Sequence, residues 1–139
     1  MQMMAAGIDI KAREAAQLAE RWPISVVIPA YNAASHLEIC LKALSANDLR
    51  NTEIVVVDDG STDGSGAIAA AFGCRCLPTP GRQGPAGARN LGFRETLHPY
   101  VLFLDSDIVL PSNALILMRE TLDLYAHRSD VAGVLGQYA

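Results

Sequence analysis

The feature that most constrains the fold of this sequence is a set of short runs that are apolar at nearly every position, so that neither face of a strand would suit solvent. ISVVIPA at 24–30 and EIVVVDD at 53–59 are rich in β-branched residues, and CRCL at 74–77, YVLFLDSD at 100–107 and VAGVLG at 131–136 are further candidate strands. Near-continuous runs of Val, Ile and Leu are typical of strands covered on both faces, as in a parallel sheet with crossover helices. These runs therefore favour a buried parallel sheet over a sheet with one wet face.

Helical periodicity fills the intervals between these runs. Apolar residues recur at i, i+3 and i+4 within residues 34–44, 65–72, 86–96 and 113–125. The alternation predicts an α/β, doubly wound, mostly parallel sheet with helices on both faces. The chain has 139 residues, 50% of them hydrophobic, which is enough for one core. We expect residues 1–22 to form a helical extension or arm and residues 23–139 to form the single domain.

The overall charge and the cysteine content exclude several kinds of partner and site. A net charge of −4 with scattered Lys and Arg gives no basic stripe for a phosphate backbone, so nucleic acid is not an expected partner. Cys40, Cys74 and Cys76 lack the spacing of a zinc knuckle and are predicted to be core thiols in a reducing compartment. No apolar run approaches the roughly 20 residues of a membrane span, and the first residues lack the order of a signal peptide. We expect a cytoplasmic protein whose membrane association, if any, resides in parts outside this chain.

Polar and aromatic residues stand where three of the predicted strands end. They are Pro29, Tyr31 and Asn32 after the first strand, Asp58 and Asp59 after the second, and Asp105 and Asp107 after the fourth. Ligands of open parallel sheets bind in the crevice at the carboxyl ends of the strands. If these strands lie close together, the side chains converge on one acidic cleft.

The acidic residues allow a functional and a purely structural interpretation. Asp105 and Asp107, one residue apart on a strand, would point to the same side and share a hard divalent cation. Alternatively, one of them caps the next element and the other is solvated. The D-G-S-T-D segment is likewise a competent turn, in which Thr62 or Asp63 would cap the following helix.

Four segments carry these residues in a fixed order. They are VVIPAYNAASHLEICLKAL, EIVVVDDGSTDGS, GPAGARNLGF and YVLFLDSDIVLP, within residues 23–136. In this order and spacing they resemble the nucleotide-sugar-binding half of family 2 glycosyltransferases of the GT-A fold. The resemblance implies a hexosyltransferase-class enzyme that takes a UDP- or GDP-type sugar donor, inverts configuration and uses Mn²⁺ or Mg²⁺ at a DXD motif. The acceptor, a glycan, lipid or polysaccharide, is not indicated.

The resemblance also implies roles for the residues after the first two strands. Pro29, Ala30 and Tyr31 would line the nucleotide pocket, and Asp59 would bind the nucleobase with Asp58 nearby. A carboxylate suits that role because it accepts from the N–H of a uracil-type ring. Tyr31 would stack on the base, although a tyrosine at a strand end is also often simple packing.

Three further residues would act on the sugar diphosphate. By the same resemblance Arg89 is the cation near the base and diphosphate, Asp105 contacts the ribose, and Asp107, with Asp105 beside it, holds the metal. A cation there would neutralise the charge that develops on the leaving group. A salt bridge from Arg89 to Asp58 or Asp59 is an equally good interpretation of that arginine.

The sequence departs from the family pattern in two places. Many members have an acid soon after Y-N, where this chain has Ala33 and Ala34. No residue matches the general base of the acceptor half, so we expect residues 23–139 to be a truncated, donor-binding portion that is inactive alone.

Other classes of protein fit the same residues less well. A non-catalytic nucleotide-binding module is the main alternative. A receiver domain or a haloacid-dehalogenase-type phosphatase would need a late lysine, whereas the lysines here are Lys11 and Lys42. A dinucleotide-binding domain would need G-x-G-x-x-G after the first strand. The proline- and glycine-rich residues 78–85 predict a loop beside the donor, and Arg119, Glu120 and Asp123 are expected on the wet face of the last helix.

Overall fold

A four-stranded parallel sheet is the centre of the fold, and the computed structural model describes residues 2–133 around it, with side chains from residue 10 onward. The strands are β1 (Ile24–Ala30), β2 (Thr52–Asp58), β3 (Arg75–Pro78) and β4 (Tyr100–Phe103). Their order across the sheet is β3, β2, β1, β4, and every pair is parallel. The chain therefore reverses its direction of winding at β1, which has β2 on one side and β4 on the other. This is the kind of position where open α/β sheets form a ligand crevice.

Within residues 2–133, five helices surround the sheet. They are α1 (Gln2–Arg21), α2 (Ala34–Ser45), α3 (Ser65–Ala71), α4 (Gly84–Arg94) and α5 (Ala114–Tyr125). Among residues 2–133, none of these helices has both the length and the apolar character needed to cross a bilayer.

Side chains alternate along β1 between two separate cores, because successive residues of a strand point to opposite faces. One core joins Val26, Ile28 and Ala30 to apolar residues of α2, α3 and α5, among them Leu37, Leu41, Leu44, Ala69 and Leu115. The other core joins Val27, Val55 and Val57 to Ala88 of α4. Helices cover both faces, which confirms the predicted fold class.

A glycine sets how closely α4 approaches the sheet. Gly92 is buried, and a Cβ atom added to it would lie 2.4 Å from Cγ1 of Val27 and 3.0 Å from Cγ2 of Val57. The first distance is too short for a real carbon contact, and the second is tighter than most. The sequence places Gly and Ala at 92 and 88 on one helix face, so the helix backbone rests directly on the valines.

The helix α1 packs at the amino edge of the sheet through the residue that follows it. Trp22 is buried, its ring meets that of Tyr100 edge-on with centroids 5.0 Å apart, and its Nε1 donates to Oδ1 of Asp123 over 3.0 Å. Arg21 pairs with the same Asp123 carboxylate at 2.9 Å. These contacts join the end of α1 to α5.

Arg119 is buried, so the prediction that it lies on the wet face of α5 is wrong. Its side chain is 1% exposed and donates to the carbonyl oxygens of Trp22 (3.1 Å), Asp48 (3.1 Å) and Arg50 (2.7 Å), and to Oγ1 of Thr52 (2.9 Å). A buried guanidinium is tolerated because these oxygens satisfy its N–H groups. Arg119 thus ties α5 to the start of β1 and the approach to β2.

Two strand predictions differ from the structure. The strand predicted at 100–107 ends at Phe103. The Leu104 N–H still donates to the Val27 carbonyl, but the residues after Leu104 turn away from the sheet. The strand predicted at 131–136 is not formed by residues 131–133, and its remainder lies outside the described residues.

The three cysteines lie where core thiols were predicted. Cys40 is buried, Cys74 and Cys76 are half-buried against the same core, and all three are free. Burial, followed by the charges of Asp107 and Cys74, raises the pKa of Cys40 to about 11.

Candidate functional site

The carboxyl ends of β2, β1 and β4 lie side by side and bring the predicted residues to one edge of the sheet. Backbone pairing continues one residue past the strands, because the Asp59 N–H donates to the Ala30 carbonyl over 2.8 Å and the Leu104 N–H donates to the Val27 carbonyl over 3.0 Å. Pro29, Ala30 and Tyr31 therefore lie between the acids after β2 and the acids after β4.

The segment after β2 is hydrogen-bonded to the loop after β1. The N–H of Asn32 donates to Oγ of Ser61 over 3.0 Å, and Oδ1 of Asn32 accepts from the N–H of Thr62 over 2.8 Å. Asn32 has φ of 46°, a left-handed conformation that asparagine tolerates better than most residues. These hydrogen bonds hold the D-G-S-T-D turn against the loop that follows β1.

Asp63 serves two helices at once. Its Oδ1 accepts from the N–H of Ser65, the first residue of α3, and its Oδ2 accepts from the N–H of Ala34, the first residue of α2, each over 3.0 Å. The N-cap of α3 is Gly64, so neither Thr62 nor Asp63 occupies the cap position that the sequence suggested, but Asp63 still accepts from the first N–H of each helix. Asp58 is half-buried and accepts from the N–H of Ser61 over 2.9 Å, which closes the same turn.

Asp59 is buried and anchors the loop before α4. Oδ1 accepts from the Thr79 hydroxyl over 2.8 Å and the Gln83 N–H over 2.6 Å, while Oδ2 accepts from the Gly84 N–H over 2.8 Å. Burial alone would raise the pKa of Asp59, but these hydrogen bonds and the charge of Arg82 outweigh it and leave the pKa below its ordinary value. The side chain is thus held as a carboxylate, and Oδ2 keeps one acceptor position.

Arg82 is a residue of the site that the sequence did not indicate. Its guanidinium carbon lies 3.7 Å from the centroid of the Tyr31 ring, and the Tyr31 side chain is 41% exposed. The contact is a cation–π stack at the end of β1. The available signal was weak, since Arg82 is simply a cation inside the proline- and glycine-rich loop at 78–85.

Asp105 and Asp107 follow β4 rather than belonging to it, so the expectation that they share one side of a strand is wrong. Both are exposed, and Asp107 lies in a turn. Arg89 of α4 forms an ion pair with Oδ1 of Asp105. The sequence suggested Asp58 or Asp59 as the salt-bridge partner of Arg89. In the structure, the partner of Arg89 is instead Asp105.

Asp107 is a carboxylate with no described protein partner, and it could supply one or two oxygen ligands to a cation. Asp107 makes no hydrogen bond or ion pair with residues 10–133, although its charge contributes to the raised pKa of Cys40. The described part of the chain has no group of three or more His, Cys, Asp or Glu side chains able to hold a metal alone. Mg²⁺ and Mn²⁺ sites often use one or two carboxylates, with phosphates and water supplying the other oxygens.

Comparison with known proteins gives one family match and several relatives. The model of glycosyl transferase family 2 matches residues 25–135. The glycosyltransferase GlyG of Streptococcus pneumoniae is 37% identical over 120 residues, which cover 83% of this chain and 38% of that protein. This chain therefore spans well under half the length of that relative.

The fold of this chain is similar to part of the solved structures of two glycosyltransferases. TarS 1–349 of S. aureus in complex with UDP-GlcNAc superposes with a TM-score of 0.70 and 27% identity, over 74% of this chain and 32% of that one. Glucosyl-3-phosphoglycerate synthase of Mycobacterium tuberculosis, in complex with Mn²⁺, UDP and glucosyl-3-phosphoglycerate, gives 0.64 and 29%, over 78% of this chain and 42% of that one.

Proposed function

This chain belongs to glycosyltransferase family 2, and on that premise we propose that it binds a UDP- or GDP-type sugar at the carboxyl edge of its sheet, as the donor side of a sugar transfer. The observation that carries the proposal is the meeting of three strand ends, which puts Tyr31, Asp59 and Asp107 at one edge. The UDP-bound relatives support a nucleotide as the ligand.

The nucleoside half of the donor is assigned to the ends of β1 and β2. Pro29 and Ala30 supply backbone, Tyr31 supplies an exposed ring for stacking, and Asp59 has one acceptor position left for a base N–H. Asp58 lies beside Asp59 and closes the turn, so its part is to position the pocket.

The diphosphate half is assigned to the residues after β4. Asp107, with Asp105 beside it, would hold Mn²⁺ or Mg²⁺, and the bound cation would neutralise charge on the diphosphate leaving group. Arg89 would contact the diphosphate or ribose. Its ion pair with Asp105 would first have to break, or the guanidinium would have to bind Asp105 and the ligand together. Transfer with inversion to a glycan, lipid or polysaccharide hydroxyl requires a general base that we do not assign to this chain.

Donor binding is therefore the property to measure. Calorimetric titration with UDP and with GDP, each with and without Mn²⁺, should show binding to one of them that Mn²⁺ strengthens. Asp107→Asn should lose the effect of Mn²⁺. Asp130→Asn, which removes an exposed acid paired with Arg128 after the end of α5, should keep it. Folded wild-type protein that binds neither nucleotide in either condition would contradict the proposal.

A further inference from the structure

Tyr31, to which we assign stacking on the nucleobase, has one face of its ring covered by the chain's own Arg82. A guanidinium carbon 3.7 Å from the ring centroid stands at the distance of a stacked planar group. The guanidinium is itself planar, so it fills the volume that a stacked base would need. Base and guanidinium cannot both occupy this face of the ring.

The backbone around Arg82 is held independently of this contact. Asp59 accepts from the N–H groups of the two following residues, Gln83 and Gly84, and from the hydroxyl of Thr79. Gly81 and Gly84 have φ of 73° and 77°, a conformation that suits glycine on either side of the arginine. The side chain of Arg82 can therefore leave the ring while the loop keeps its place.

Besides the Tyr31 ring, Arg82 has a charge interaction with the Asp59 carboxylate, whose pKa it helps to lower. It is exposed and takes part in no ion pair within residues 10–133, whereas Arg89 is paired with Asp105. Moving the guanidinium from the ring into water costs the stacking contact, which is weak at an exposed site, and part of its attraction to the Asp59 carboxylate. The buried Asp59 carboxylate keeps its three hydrogen bonds when the guanidinium moves.

We propose that Arg82 is a placeholder, which covers the stacking face of Tyr31 in the free protein and gives it up when the base of the donor nucleotide binds. The inference rests on the proposed function, because it takes Tyr31 as the stacking residue. It adds a residue that sets donor affinity by competing for the ring rather than by touching the donor. The free protein thereby binds the base more weakly than an open Tyr31 would.

A neutral nucleoside separates this competition from attraction between arginine and phosphate. Uridine binding is followed by chemical-shift titration of the isotope-labelled protein, with guanosine used instead if GDP is the nucleotide that binds. Arg82→Ala should bind the nucleoside about two- to five-fold more tightly, the loss of one exposed cation–π contact. Arg94→Ala removes an exposed arginine at the far end of α4 and should leave the affinity unchanged.

A second readout follows the arginine itself. The side-chain protons of Arg82 should be shifted upfield by the Tyr31 ring in the free protein, and saturation with UDP or GDP should abolish that shift. In a Tyr31→Ala background, Arg82→Ala should no longer change nucleoside affinity.

Two results would overturn the inference while leaving donor binding intact. One is equal or weaker nucleoside binding by folded Arg82→Ala, and the other is an upfield shift that persists at saturation. Wild-type protein that binds neither UDP nor GDP would overturn the proposed function and this inference together.

Discussion

At the scale of single residues, Arg119 donates hydrogen bonds to three backbone carbonyls and one hydroxyl, which would lose these donors if the side chain were replaced. We predict that Arg119→Met lowers the free energy of unfolding by about 2–4 kcal/mol, because the methionine cannot donate to the carbonyls of Trp22, Asp48 and Arg50. Urea unfolding measures the change. Arg94→Met, at an exposed position, should stay within about 0.5 kcal/mol of wild type, and equal effects of both changes would contradict the prediction.

Asp59 gives a pH-dependent prediction. Its pKa is lowered in the folded protein, so it contributes stability above its ordinary value of 3.8 and loses that contribution as the pH falls through the folded pKa. Asp59→Asn should lower stability at pH 7 by about 1–3 kcal/mol, because an amide cannot accept all three hydrogen bonds. The difference from wild type should shrink below pH 4. Denaturant unfolding of both proteins from pH 7 to pH 3 tests this, and a constant difference would show that Asp59 does not titrate as described.

Residue identity alone predicted which side chains gather at the site but not their partners. Asp59 and Asp107 follow strands, so their place at the sheet edge could be predicted from the sequence. The burial of Arg119 could not, because its partners are backbone carbonyls 69–97 residues away, and a carbonyl has no signature in the sequence. The same holds for Arg82, whose contact with Tyr31 depends on the shape of a loop.

At the scale of elements, the approach of α4 to the sheet depends on Gly92. We predict that Gly92→Ala lowers the free energy of unfolding by about 1–3 kcal/mol, because the new methyl would overlap Val27 and Val57 and push the helix outward. This loss opposes the gain of up to about 1 kcal/mol that alanine brings to a helix. Gly66→Ala in α3 is the matched control, since its Cβ would meet Oδ2 of Asp58 at an ordinary 3.4 Å. Urea unfolding should rank Gly66→Ala above wild type and Gly92→Ala below it, and the opposite ranking would contradict the packing described.

Element positions followed from periodicity wherever an apolar run was long. β1 was predicted at its observed bounds of 24–30, and β2 and α2 differed by one residue. β4 was predicted four residues too long, because the apolar and polar alternation continues from Leu104 to Asp107 although pairing with β1 stops at Phe103, opposite Val27. β1 itself continues to Ala30 beside β2, so the pattern within one strand does not show where the chain leaves the sheet.

At the scale of the whole molecule, the two cores share one sheet and should unfold together. The sequence has one tryptophan, Trp22, which lies where α1, β4 and α5 meet. We predict that tryptophan fluorescence and far-ultraviolet circular dichroism give superimposable urea transitions. An earlier fluorescence transition would mean that α1 detaches before the sheet unfolds.

The connections of Arg119 also bear on how the protein forms during translation. The carbonyl of Asp48 leaves the ribosome 71 residues ahead of the guanidinium that will pair with it. At about 5–20 residues per second this is a wait of roughly 4–14 s, and β1 lacks its neighbour β4 until Tyr100 to Phe103 emerge late in that interval. The nascent chain should therefore expose the unpaired flank of β1 for most of that interval, which makes it the segment that a ribosome-associated chaperone would engage.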